Sequence, residues 1–182
     1  MTADDAAVIA GLHAESWRRH YRGALLDSYL DGDVLRDRMA EWTSRLAQAV
    51  PDRYSVAGFL PDGTMAGFAY TFLDADPAWG ALLDNLHVRH DVKRQGVGAR
   101  LMAETARAVI GHRPASGLHL WVLEQNTAAQ AFYQAQGGRC VERQLAGPLP
   151  GGGRAYSLRY AWRDLSQLAA GGQRPEINNL SG

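Results

Sequence analysis

The stretch Leu86-His87-Val88-Arg89-His90-Asp91-Val92-Lys93-Arg94-Gln95-Gly96-Val97-Gly98-Ala99-Arg100-Leu101-Met102 joins two segments of different character through a basic pair and two glycines. Before it, Ala81 to Val88 is an apolar-rich run suited to a strand; after the glycines, Ala99, Leu101, Met102, Thr105, Ala106 and Val109 recur at helical spacing. The whole therefore reads as strand, tight loop and helix. Gly96 and Gly98 let the backbone approach a ligand closely, and the first turn of a helix has amide N–H groups with no partner inside the helix. Together they make a seat for an anion, a phosphate above all, and Lys93, Arg94 and Arg100 add positive charge to the same place. The Rossmann fingerprint is disfavoured because its third glycine position holds Leu101. A Walker-type loop is disfavoured because Gly-Lys-Ser/Thr is absent.

The anion site must be local. Lys+Arg and Asp+Glu both total 19, so no global field favours nucleic acid or an anionic membrane. A chain of 182 residues with a 46% hydrophobic share suits one domain with a sizeable core. Cys140 is the only cysteine, which rules out an intrachain disulfide and a thiolate metal cluster; a small core residue is the expectation for it. No apolar run approaches the roughly 18 residues of a membrane span, and no secretory leader is evident, so a reducing cytoplasm is the expected setting.

Around the loop, the pattern alternates between helices and strands. Residues 3 to 19 carry Ala6, Ala7, Ile9, Ala10, Leu12, His13 and Trp17 at helical spacing behind a capping Thr2. A short helix near Leu25 to Leu30 and a longer one from Asp33 to Ala49 follow, the latter with Leu35, Met39, Trp42 and Leu46 on its apolar face. Arg53 to Leu60 and Thr64 to Leu73 flank Pro61-Asp62-Gly63 as a hairpin, and with Ala81–Val88 they make a three-strand meander. Gly117 to Leu123 is apolar on both faces and hence a central strand. A helix capped by Asn126 or Thr127 runs to about Gln136, with Ala128, Ala131, Phe132 and Ala135 on one face. Two strands, Arg139 to Ala146 and Arg154 to Trp162, are joined by Gly147 to Gly153, either a gate or a long hairpin turn. A single domain spanning 1–165 is expected, with a loosely held tail from Ser166 to Gly182.

Two motifs in this order of elements resemble the GCN5-related N-acetyltransferase (GNAT) family. The family's Gln/Arg-x-x-Gly-x-Gly/Ala motif lies on Lys93-Arg94-Gln95-Gly96-Val97-Gly98, with lysine at its first position. Its second motif, an Asn ahead of Phe-Tyr-x-x-x-Gly, lies on Asn126 and Phe132-Tyr133-Gln134-Ala135-Gln136-Gly137. The resemblance covers roughly Thr2 to Leu165. It implies an α/β fold: a mixed, mostly antiparallel sheet flanked by helices, with a V-shaped splay between two central parallel strands, Ala81–Val88 and Leu118–Leu123. It also implies an enzyme that transfers the acetyl group of acetyl-coenzyme A to a primary amine by direct attack.

Carried over by position, backbone amides of Lys93, Arg94, Gln95, Gly96, Val97, Gly98 and Ala99 would hold the pyrophosphate. His87 and Val88 would offer main-chain groups to the pantetheine arm and the thioester carbonyl, Asn126 would bond near the arm, and Tyr133 would protonate the departing thiolate. Some members carry a glutamate base where this chain has Leu82; the next same-face position, Asp84, is the first candidate for general base, directly or through water, and His87 the second. Asp84 is equally readable as a carboxylate that merely bonds nearby backbone. A non-catalytic acyl-CoA sensor with the same fold is the alternative that Leu82 permits. Members usually open with a short strand before the first helix, whereas Met1 to Asp5 lead almost directly into it, so that strand is missing or lies upstream. The acceptor pocket would be walled by Ser16, Trp17, Tyr21 and Tyr29, with Tyr156 from the last strand pair. A small-molecule or peptide amine is the expected partner, and a homodimer follows by analogy only.

Overall fold

The computed structural model describes residues 1–149 and 153–171. A 3-10 turn at Ala3–Asp5 leads into helix α1 (Ala6–His20), then α2 (Asp27–Asp31) and α3 (Val34–Leu46). No strand precedes α1 among the described residues. The meander β1 (Arg53–Phe59), β2 (Met65–Asp76) and β3 (Gly80–Val88) follows, then α4 (Val97–His112), β4 (Leu118–Leu123), α5 (Thr127–Ala135), β5 (Arg139–Leu145), β6 (Tyr156–Trp162) and a short α6 (Ser166–Ala170). The six strands form one sheet in the order β1-β2-β3-β4-β6-β5, antiparallel except where β3 meets β4. This is the mixed, helix-flanked sheet that the resemblance implies.

The parallel contact is brief. Only Ala81↔Leu118 and Leu82↔His119 pair across it, and beyond them β3 runs on to Val88 and β4 to Leu123 with no ladder between. The strands thus diverge, and the facing edges of both open into a cleft. A second irregularity lies in β3 itself: Thr71 pairs with Leu83 and Tyr70 with Asn85, so Asp84 is the extra, unpaired residue of a bulge. The simple two-residue alternation that relates Leu82 to Asp84 therefore does not hold there, because a bulge re-aims the side chain it carries.

One core lies between α4, α5 and the sheet, built on Leu83, Leu101, Met102, Ala106, Leu118, Leu120, Tyr133, Tyr160 and Trp162. A second packs α1 and α3 on the other face through Ile9, Ala10, Trp42, Phe68 and Tyr70. Trp42 is fully buried, with its ring edge-on to Phe68 (5.1 Å) and Tyr70 (5.5 Å), contacts that add about 0.5–1.5 kcal/mol per aromatic pair to the burial itself.

Several faces differ from the sequence reading. In α3 the buried residues are Val34, Arg38 and Trp42, with Met39 and Leu46 packed beside Trp42 as expected, whereas Leu35 is exposed and an arginine occupies the middle of the buried stripe. In α5 the inward residues are Ala129, Phe132 and Tyr133, while Ala128, Ala131 and Ala135 are exposed. Cys140 is exposed rather than a core residue, since it lies on β5, an edge strand whose residues are all exposed among the described residues. Ser166–Ala170 are helical with Leu168 buried in the main core, so these residues are packed where a loose tail is expected; the remainder of that tail lies outside the described residues, as do residues 150–152 of the β5–β6 loop. The flanking Leu149 packs with Trp17 and Leu25.

Candidate active site

A cavity of about 790 Å³ opens at the splay. Its walls come from α1 (His13, Ser16, Trp17, His20), α3 (Arg38, Arg45), β3 (Leu83 to Val88), the loop to α4, β4 (Leu120 to Val122) and α5 (Phe132, Tyr133). The volume falls within the usual range of ligand sites, roughly 300–1,000 Å³.

At one end is the glycine loop. Arg94 (φ 67°) and Gly96 (φ 80°) both adopt left-handed backbone, which curls successive N–H groups toward one side before α4 begins. Glycine takes this conformation without strain, and Gly96 has open space where a side chain would be. A Cβ on Gly98 would meet Phe132 Cζ at 3.2 Å, so bare backbone is what lets α5 approach the start of α4. Lys93, Arg94, Gly96, Val97, Gly98 and Ala99 line the cavity. Gln95 and Arg100 do not; they are exposed, and Arg100 Nη2 donates to the Gln95 carbonyl instead (3.4 Å). The loop therefore fits a diphosphate through main-chain donors, with two cations rather than three beside it.

Tyr133 reaches the cavity from α5, whose position is fixed at both ends. Asn126 Oδ1 accepts from the amide of Ala129 (3.2 Å), a side-chain cap of the kind that contributes about 1 kcal/mol. At the other end Gln134 donates to the Tyr160 hydroxyl (2.9 Å) and Trp162 Nε1 to the Gln136 carbonyl (2.8 Å). The Tyr133 ring packs on Phe132, Tyr160 and Trp162. Burial first, and then neighbouring Tyr21, push its phenol well above the ordinary range, so it holds its proton at neutral pH.

The opposite end belongs to α1, α3 and β3. Ser16 Oγ and His87 Nδ1 share a hydrogen bond (3.0 Å), and His87 packs against His13 with the rings tilted by 34° (4.4 Å between centroids). Trp42 Nε1 donates to His13 Nδ1 (3.0 Å), which puts the proton of a neutral His13 on Nε2. Burial, then neighbouring His20, Arg38 and Lys93, push His87 down to about 3. Burial and then His87, Arg38 and Arg45 hold His13 well below its usual value. Both imidazoles are neutral at physiological pH. Trp17 and Tyr21 stack (5.3 Å) along the same wall, and burial followed by the Asp84 carboxylate raises Tyr21 to about 12. Asp84 lines the cavity, and one of its oxygens, Oδ2, accepts from both Arg45 Nη1 and Asn85 Nδ2. Arg45 is also paired with Glu41.

Two expected wall residues lie elsewhere. Tyr29 is not in the cavity: its hydroxyl donates to Asp37, and its ring joins the cluster of Ala14, Trp17 and Leu30. Tyr156 begins β6 with its ring beneath the Arg143 guanidinium (3.5 Å) and is 44% exposed; the last strand pair contributes nothing to the lining. Conversely, His13, His20, Arg38, Arg45, Asn85 and Trp121 line the cavity without having been expected there. The signal for Arg38 was present in the sequence as Val34-x-x-x-Arg38-x-x-x-Trp42, one cation inside an apolar stripe.

Comparison with known proteins agrees with this fold. The family model of the acetyltransferase (GNAT) family matches residues 13–137. The chain is 27% identical over 172 residues to YuaI, an uncharacterised N-acetyltransferase of Bacillus subtilis (strain 168), covering 91% of each. Among solved structures it is similar to the PaiA N-acetyltransferase of Thermoplasma acidophilum in complex with coenzyme A, with a TM-score of 0.68, 17% identity and coverage of 89% of this chain and 96% of that one. It is also similar to the ribosomal-protein-S18-alanine N-acetyltransferase of Escherichia coli, with a TM-score of 0.52, 26% identity and coverage of 66% and 74%.

Proposed function

Since the chain belongs to the acetyltransferase (GNAT) family and takes acetyl-coenzyme A as co-substrate, we propose that it acetylates a primary amine by direct transfer within the cleft between β3 and β4. The observation that carries this reading is the convergence of the curled anion loop and the protonated Tyr133 on a single cavity. Acetyl-coenzyme A supplies an acetyl group activated as a thioester. Main-chain amides from Lys93 to Ala99 hold its diphosphate, with Lys93 and Arg94 adding charge. The open edge of β3 at His87 and Val88 offers main-chain groups to the arm and the thioester carbonyl, where a positioned N–H stabilises developing negative charge. Asn126 keeps Nδ2 for the arm, because its Oδ1 caps α5.

Asp84 is the residue we assign to the amine proton, directly or through a water. Arg45 and Asn85 both use its Oδ2, and neither of those bonds occupies Oδ1. Arg45, beside Asp84, assists by disfavouring a second positive charge next to it, so the amine gives up its proton more readily there than in water. His87, pushed down to about 3, is too weak a base for an ammonium group and instead orients Ser16. Tyr133 donates its phenolic proton to the departing sulfur.

The test is thiol release from acetyl-coenzyme A against a panel of primary amines, followed across pH. We expect amine-dependent release whose kcat/KM climbs with pH toward the acceptor's own ammonium pKa. No inflection near 6.5 is expected, because a histidine depressed to about 3 is already deprotonated at every pH above that value. Release that is the same with and without every amine would overturn the transfer reading; an inflection near 6.5 would return the proton to a histidine.

A further inference from the structure

Among the described residues, five charged side chains (Asp, Glu, Lys or Arg) line the cavity: Arg38, Arg45, Lys93, Arg94 and Asp84. Lys93 and Arg94 belong to the anion loop, and Arg45 is held between Glu41 and Asp84. Arg38 is different. It is 9% exposed, its guanidinium lies over the Trp17 ring at 4.4 Å, and Nη2 donates to Asp37 (3.1 Å). Its Nε is buried and has no hydrogen-bond partner among the described residues. A buried donor without an acceptor is destabilising, and a guanidinium is the side chain best shaped to fill that deficit with a planar oxyanion. Contact with the Trp17 ring and the bond to Asp37 hold the guanidinium in place in advance, so less freedom is lost when an anion docks.

The surroundings favour the same charge. The imidazoles of His13 and His87 lie on the same wall, and the fixed charges acting on them, from Arg38, Arg45 and Lys93, are all positive. Asp84 is the only carboxylate in the lining among the described residues, and Arg45 already engages it. A substrate bearing only ammonium groups would bring further positive charge to this wall.

We propose that the acceptor is an amine that also carries a carboxylate, and that Arg38 is the specificity residue that holds it. The inference rests on the amine-transfer reading above and narrows its substrate class: amino acids, or peptides with an acidic residue beside the amine, rather than polyamines. The ammonium end lies toward Asp84 while the carboxylate lies toward Arg38, so one molecule meets both signs of charge on the wall.

The experiment measures thiol release with matched acceptors: an α-amino acid, its amide, the amine left by its decarboxylation, and dipeptides with an acidic or a neutral second residue. The expected result is release with the amino acid or the acidic dipeptide, the two separating a free carboxylate from a peptide one, and much weaker release with the uncharged counterparts. Arg38→Met keeps the apolar stem; KM for the accepted acid should rise about 10- to 100-fold with kcat and acetyl-coenzyme A affinity little changed, and Arg38→Lys should restore part of the loss. Amides or decarboxylated amines used within about threefold of the acid, in kcat/KM, would overturn the proposal while the transfer reading stands. If no amine supports release, the transfer reading fails and this inference fails with it.

Discussion

Tyr133→Phe should lower kcat by about 100-fold or more, the range that loss of a positioned general acid produces, while the affinity for acetyl-coenzyme A stays nearly constant. The split follows from the geometry. The ring is held by Phe132, Tyr160 and Trp162, contacts that a phenylalanine keeps. The anion loop and the Asn126 cap are untouched by the change. Only the hydroxyl is lost, so an interaction made in the transition state disappears and the uniform binding energy remains. Because burial raises the phenol above its ordinary value of about 10, the wild-type acid stays protonated throughout the neutral range and contributes no falling limb there. An unchanged kcat in the phenylalanine variant would remove Tyr133 from the chemistry.

Gly80→Ala should destabilise the protein by about 3 kcal/mol or more, through strain and collision together. Gly80 opens β3 with φ +84°, a left-handed conformation in which an L side chain is strained by about 1–2 kcal/mol. An added Cβ would also lie 2.3 Å from the Gly117 carbonyl oxygen and 2.5 Å from Ser116 Oγ. Backbone blocks the way, so the strands must shift. The bond from the Ala81 amide to that same carbonyl (3.0 Å) and the two ladder pairs beyond it are the vertex of the splay. Thermal unfolding should therefore move down by roughly 6–12 °C for a chain of this size, and acetyl-coenzyme A affinity should fall with it, because the angle between β3 and β4 sets the cleft. A midpoint within about 2 °C of the wild type would show that the vertex tolerates a shift.

The sequence was most informative where spacing translates directly into geometry. The glycine loop, the meander, the capped α5 and the central β4 were all readable, since turn glycines, caps and strand periodicity act locally. Tyr133 was readable only through the second motif. The bulge at Asp84 was not, because an extra residue in one strand is defined by its pairing with another. The same reason hid the end of the cavity formed by α1, α3 and β3. His13, Arg38 and His87 come from α1, α3 and β3 and meet only after the helices fold over the sheet. Tyr29 and Tyr156 were assigned by residue type, and residue type does not say that Asp37 captures one and Arg143 covers the other.

A sheet broken at its centre has one more consequence, for how the molecule behaves among its own copies. Strand edges are templates on which a foreign strand adds, and proteins hide or blunt them to stay dispersed. Here β3 and β4 carry such edges, but the edges face each other. The far ends are bridged by the end of α1: Lys93 donates to His20 Nε2 (3.1 Å), and Gln125 Nε2 donates to the carbonyls of His20 (3.2 Å) and Arg22 (2.8 Å). The bridge ties a helix end across the diverging strands while the cavity beneath stays open. Pairing capacity is thus kept for a slender ligand inside the sheet and withheld from any neighbouring chain that would add a strand there.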